Sequence, residues 1–204
     1  MNDSKWTGLS WGTLGDSITE ANGYQPLVAE ALGFARVVNY GRGGCPVTAG
    51  GDRDHGATVH MAREADPTLD CVTIFAGVND FRLNKPIGLA GTRDIFTFRG
   101  AYVTAAETIL RGNPGCRLNL WTPLQRDKDE YDNTYVNKAG HRLIDYVEAI
   151  RSIGLAYALP VLDLYAESGF NKLTLPLLTS DGLHPNEAGQ RRIASMAASF
   201  LERL

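Results

Sequence analysis

The chain has 204 residues, 44% of them apolar and 21% charged, with a formal net charge of −3 at neutral pH. That balance excludes wholesale disorder, and the length suffices to bury a core without a metal or a disulfide framework. The slightly acidic charge also excludes the basic footprint of a nucleic-acid binder.

Short apolar runs closed by Gly, Asn, Asp or Pro predict strands at Leu9–Gly15, Arg36–Tyr40, Cys71–Ala76, Arg117–Thr122 and Ala158–Asp163. Amphipathic stretches fall between them. Tyr24–Leu32 presents Leu27, Val28, Ala31 and Leu32, and Ala101–Arg111 presents Ala105, Ala106, Ile109 and Leu110. Leu143, Ile144, Val147 and Ile150 form a third helical stripe, on whose helix His141 is expected as a surface residue. The last helix carries Ile193, Met196, Ala197, Phe200 and Leu201 behind the N-cap candidate Asn186. Strands alternating with helical crossovers imply a parallel sheet covered on both faces, and we read residues 1–204 as one α/β domain.

Three segments break the alternation: the glycine-rich residues 41–56, the irregular residues 81–100 and the polar residues 124–137. Each follows the carboxyl end of a strand, the edge at which open parallel sheets bind ligands. The glycine-rich loop lacks the GK[ST] of a phosphate-binding loop, and no GxGxxG follows the first strand, so no nucleotide cofactor is expected. Cys45, Cys71 and Cys116 match no zinc spacing and predict no disulfides. His55 and His60, with Asp52 and Asp54, match no common ligand spacing, so no metal is expected either. No basic and apolar leader opens the chain and no 18 apolar residues run together. The expectation is therefore a cytoplasmic protein without a membrane partner, with export by a route other than a signal peptide left open.

Chemistry gathers at four strand exits. Ser17, in Gly15-Asp16-Ser17, follows the first strand, where a serine acts either as a turn or helix cap or, with a base within about 3 Å, as a nucleophile. His184 is the histidine placed to be that base. Asp181, three residues ahead of it, can orient the imidazole, and Asp163 at the end of the fifth strand is the alternative. Gly44 after the second strand offers a backbone N–H, and Asn79 in Gly77-Val78-Asn79-Asp80 after the third offers an amide, the donors an oxyanion requires. Each alone is explained by turn chemistry; together they describe acyl transfer.

These blocks resemble those of the SGNH hydrolases, also called GDSL-type esterases and lipases. Gly15-Asp16-Ser17, Gly44, Gly77-Val78-Asn79-Asp80 and Asp181-Gly182-Leu183-His184-Pro185 stand in the family's order along the chain. The resemblance implies a flavodoxin-like three-layer α/β/α sandwich with about five parallel strands. It implies metal-free ester hydrolysis in which Ser17 is the nucleophile, His184 the base and Asp181 its partner. The oxyanion hole would combine the Ser17 and Gly44 N–H groups with the Asn79 side chain. Cys45 stands where many relatives carry Asp, and a packing role is expected for it.

The loops also carry Arg42, Arg82, Arg93, Arg126, Tyr131 and Tyr135, with Trp121 at the fourth strand exit. Aromatic platforms and fork-shaped donors suit a small-molecule or carbohydrate ester with a short acyl group, and acetyl is the expectation by analogy with relatives. The alternatives are a thioesterase or lysophospholipase, and a carbohydrate-binding module on a hydrolase scaffold.

Overall fold

The structure, a computed structural model, describes residues 4–204. Its elements in chain order begin with strand β1 (Ser10–Gly15), helix α1 (Ser17–Glu20), helix α2 (Tyr24–Leu32) and strand β2 (Arg36–Asn39). Next come α3 (Thr58–Met61), β3 (Cys71–Phe75), α4 (Val78–Arg82), α5 (Phe98–Gly112) and β4 (Arg117–Trp121). A small hairpin, β5 (Asp127–Lys128) and β6 (Tyr131–Asp132), precedes α6 (Leu143–Tyr157) and β7 (Val161–Leu162). The chain closes with α7 (Leu164–Glu167), α8 (Leu175–Leu178) and α9 (Glu187–Glu202).

Five strands pair in parallel in the order β2-β1-β3-β4-β7, with Gly15 opposite Phe75 and Phe75 opposite Trp121 at the carboxyl edge. The period of two along each strand sorts side chains onto two faces. Leu14, Val72, Ile74, Leu118 and Leu120 pack with residues of α3, α5 and α6. Trp11, Cys71, Phe75 and Trp121 pack with α2 and α9 through Tyr24, Val28, Ile193 and Leu201. Burial on both faces explains why the strands read as nearly continuous apolar runs. This is the three-layer α/β/α architecture expected, with the order of a flavodoxin-like sheet.

Local chemistry sets the element ends. Thr97 caps α5 by accepting from Gly100 N, so the helix starts earlier than the apolar stripe from Ala101 suggests. Asn186 caps α9 by accepting from Gly189 N, as predicted. The Asp145 carboxylate reaches back to Arg142 N at 2.7 Å and starts α6 at Leu143. His141 therefore lies just ahead of that helix rather than on it, half-buried and edge-on to Tyr146. The fifth core strand begins at Val161 rather than Ala158, because Ala158 ends α6 in the left-handed region at φ 51°.

The sheet order reverses between β1 and β3, since the chain moves outward to β2 and then returns across β1. Their carboxyl ends form the crevice in which such sheets bind ligands. Ser17 and Asn79 follow those two strands directly.

Candidate active site

Strand β1 ends at Gly15, and the next residue, Asp16, caps α1 by accepting from Ile18 N at 3.1 Å. Ser17 is thereby the first residue of a one-turn helix, with its hydroxyl at the crevice. A side chain at Gly15 would fall onto Thr19 Oγ1 and the Phe75 carbonyl, so the turn tolerates only glycine. Burial pushes the Asp16 carboxyl up to about 6, against the pull of its bond from Ile18 N.

The Ser17 hydroxyl lies 2.9 Å from His184 Nε2, and His184 Nδ1 lies 2.8 Å from Asp181 Oδ2. Asp181 Oδ1 accepts from the backbone N–H groups of Leu183 and His184 at 3.1 and 2.8 Å, while Oδ2 also accepts from Lys128 Nζ at 2.6 Å. Partial burial pushes the Asp181 carboxyl up, but those N–H donors, the Lys128 ammonium and the imidazole together hold it well below the usual carboxylate range. An ionised Asp181 only accepts, so His184 Nδ1 carries the proton and Nε2 presents a lone pair to the serine hydroxyl. Gly182 makes the turn between them possible: its φ is +81°, and a Cβ there would strike the Asp127 carbonyl. Asp163, the alternative orienter, is engaged elsewhere; it pairs with Arg151 and accepts from Thr122 Oγ1.

Asn79 and Asp80 sit on α4, 5% and 0% exposed. Asp80 accepts from Val47 N and Thr48 N at 2.8 and 3.1 Å, tying the glycine-rich loop to the exit of β3. Burial outweighs those donors and pushes its carboxyl up to about 6. Asn79 Oδ1 accepts from Arg82 Nε and Nη2, both at 3.2 Å. Because guanidinium only donates, this contact fixes which way the amide faces. Its Nδ2 donates to Cys45 O at 3.2 Å, which leaves one amide hydrogen for a ligand. Among the described residues neither Ser17 N nor Gly44 N donates to any group. The structure thus brings Ser17, Gly44, Asn79 and His184 to one pocket of about 350 Å³, with Asp181 behind the imidazole.

Other sequence expectations separate at this point. Arg82 and Arg126 line the pocket, whereas Arg42 bonds Glu64 and the His55 carbonyl, and Arg93 bonds Glu107 and Tyr157. Trp121 is not a platform at the crevice: it is fully buried, donates to Asn119 Oδ1 at 2.8 Å and packs on Trp11, Tyr24 and Phe75. Being the last residue of β4, it faces the core side of the pleat. Tyr131 and Tyr135 stack edge-on against Phe81 instead of lining the pocket. Cys45 is buried as a packing residue, and burial raises its thiol pKa. His60 bonds Asp54 at 3.1 Å, and no group of three His, Cys, Asp or Glu side chains among the described residues is placed to hold a metal. All three cysteines are free and buried. No described helix is long and apolar enough to cross a membrane.

The sequence reading missed Lys128, which braces Asp181 from the hairpin, and Arg53, which reaches the pocket from the glycine-rich loop. Neither stands in a short motif, so only the folded loops reveal them.

Residues 13–192 match the model of the GDSL-like lipase/acylhydrolase family. A crystal structure of a protein from Lactobacillus plantarum superposes with a TM-score of 0.86 at 28% identity, covering 97% of this chain and 98% of that one. A possible lipase from Chitinophaga pinensis shares the fold with a TM-score of 0.78 at 23% identity, over 96% and 98% of the two chains. An acetyl xylan esterase does so with a TM-score of 0.68 at 22% identity, over 94% and 98%. No curated protein sequence matches. With the sheet, the four strand-exit blocks and the family match in agreement, the chain belongs to the GDSL-like lipase/acylhydrolase family and is a carboxylic ester hydrolase.

Proposed function

We propose that the protein hydrolyses short-chain acyl esters, acetyl esters foremost, of a polar alcohol such as a carbohydrate, through a Ser17 acyl-enzyme. The observation that carries this reading is the chain of contacts from Ser17 Oγ to His184 Nε2 and from His184 Nδ1 to Asp181, opening on a pocket with unengaged N–H donors. His184 Nε2 takes the serine proton as Oγ attacks the ester carbonyl. The tetrahedral oxyanion is received by the Ser17 and Gly44 N–H groups and the Asn79 amide. As the intermediate collapses, the ester C–O bond breaks and the imidazolium gives its proton to the leaving alcohol. Water, deprotonated by the same nitrogen, then attacks the acyl-enzyme and releases the acid, restoring Ser17.

The acyl length is argued from the walls. Leu183 is the one large apolar side chain among the described lining residues; the rest are small, polar or charged. Such walls offer a long acyl chain little apolar surface to bury, at about 0.8 kcal/mol per CH₂. The same architecture serves an acetyl xylan esterase, which is compatible with this substrate class.

Hydrolysis of p-nitrophenyl esters from acetate to decanoate, by wild type and Ser17→Ala in parallel, tests the reading. We expect rates to fall steeply beyond butyrate, and Ser17→Ala to lose about 10⁵–10⁶ in kcat, the scale of losing a catalytic serine. A preference for long chains would place the protein with lysophospholipases or thioesterases. Equal activity of the two proteins would remove Ser17 as nucleophile.

A further inference from the structure

The chain is acidic overall, yet the described pocket lining carries Arg53, Arg82, Arg126 and Lys128 against one unengaged carboxylate, Asp129 at the rim. Lys128 is neutralised by Asp181. Among the described residues, none of the three arginines forms an ion pair. Arg82 donates to Asn79 Oδ1 and the Gly44 carbonyl, both neutral, and Arg53 reaches only the Gly43 carbonyl at 3.5 Å.

Arg126 is the sharpest case. It is 1% exposed, and its Nη2 donates to the Lys128 carbonyl at 3.0 Å. Its Nε and Nη1 are buried with no partner among the described residues. The Tyr131 ring, 5.5 Å from the guanidinium carbon, covers one face but accepts no N–H. A buried guanidinium stays protonated and costs several kcal/mol when it has no counter-charge. Natural proteins pair such groups, and a fork-shaped donor suits the two oxygens of a carboxylate or phosphate. Asp129 and Asp181 act on the Arg126 guanidinium without bonding it, so a buried fork with two unbonded donors stands beside the serine as a specificity element.

We propose that the ester cleaved at Ser17 carries an anionic group, a carboxylate or phosphate near the scissile bond, recognised by Arg126 with Arg53 at the rim. The inference rests on the reading of Ser17 as the nucleophile, and refines the substrate class of that site. The pocket does not by itself distinguish an anion on the acyl side from one on the alcohol side, so the test carries an arm for each.

On the acyl side, p-nitrophenyl hemisuccinate is compared with p-nitrophenyl butyrate, its neutral counterpart of similar length. On the alcohol side, 4-acetoxybenzoate is compared with its methyl ester. In one of the two arms kcat/KM for the charged ester should exceed that for the neutral one about tenfold or more, the scale of a charge-assisted hydrogen bond. Arg126→Met should collapse that ratio toward one, and Arg126→Lys should leave it intermediate. Near-UV circular dichroism reports whether the Arg126 variants keep the native packing. Arg53→Gln, at an exposed position where folding is not at stake, should reduce the ratio by a few-fold. Ratios near one in both arms, unmoved by these variants, would overturn the proposal while leaving the ester hydrolase intact. If no ester is hydrolysed, the proposed nucleophile falls, and isothermal titration still decides the anion site. Ser17→Ala protein titrated with monoethyl succinate and with inorganic phosphate should show saturable binding that Arg126→Met abolishes; absence of binding overturns the site.

Discussion

The two halves of the site are built on opposite principles. Asn79 and Asp80 are buried on α4 at the exit of a central strand, where Asp80 and the Asn79 amide N–H bind the backbone of the glycine-rich loop and the Asn79 oxygen is held by Arg82 of the same helix. Asp181 and His184 stand on a surface turn, with side chains 33% and 37% exposed, and are held by local i→i+2 and i→i+3 bonds plus one lysine from the hairpin. The buried half is rigid because its donors and acceptors have no water to fall back on. The exposed half is ordered by a carboxylate that gathers four donors at once. In the proposed mechanism a preorganised oxyanion site needs the first arrangement, whereas an imidazole that takes and returns a proton tolerates the second.

That contrast is open to attack. The largest effect, after loss of Ser17 or His184 themselves, should come from Asp181→Asn. Asparagine keeps an acceptor for the Leu183 and His184 N–H groups but no longer favours the Nδ1–H tautomer. We expect kcat to fall about 10³–10⁴-fold with little change in KM. A loss under tenfold would show that the turn alone orients His184. In the proposed mechanism Asn79→Ala removes one oxyanion donor and should cost about 10²–10³ in kcat, with a modest loss of stability because Arg82 loses one of its two acceptors. Full kcat in that variant would take Asn79 out of the oxyanion hole.

The smallest effect is on stability against pH, and it separates the buried from the exposed carboxylates. Asp16 and Asp80 are raised by burial to about 6 from an ordinary 3.8. Between about pH 4 and 6 the folded protein therefore holds protons that the unfolded chain has released. Stability must fall as pH rises through that window, by up to about 3 kcal/mol per group. Asp181 has the opposite sign: its lowered pKa contributes stability that is present above the unfolded value and lost as pH falls below it. Asp16→Asn keeps a cap acceptor and cannot ionise. It should flatten the decline of Tm between pH 4 and 7, whereas an unchanged slope would place the titration elsewhere.

Much of this was legible in the linear chain. All five core strands and the four long helices follow from periodicity, because a helix stripe or a buried strand writes its burial into its own residues. The one-turn helices α1, α3, α4, α7 and α8 and the two-residue strands of the hairpin lay below that signal, being too short to show a period. Within the site, Ser17, Gly44, Asn79, Asp181 and His184 were legible because each stands in a block whose small neighbours are demanded by the turn it makes. Gly15 and Gly182 are the clearest of these neighbours, since the backbone and side chains packed against them leave no room for a Cβ.

Tertiary structure alone decided the rest. Trp121 ends a strand at the functional edge, but the pleat turns it into the aromatic core, where its indole N–H finds Asn119. Asp181 was the preferred orienter in the sequence and Asp163 the fallback; the fold gave Asp163 to Arg151 and Asp181 to His184. Of the loop arginines, Arg42 and Arg93 found carboxylates and left the site, while Arg126 was folded beneath the hairpin without one. Strand identity depends on neighbours a few residues away, so the sequence carries it. Charge pairing depends on residues brought together from distant loops, and only the closed sheet edge assembles them.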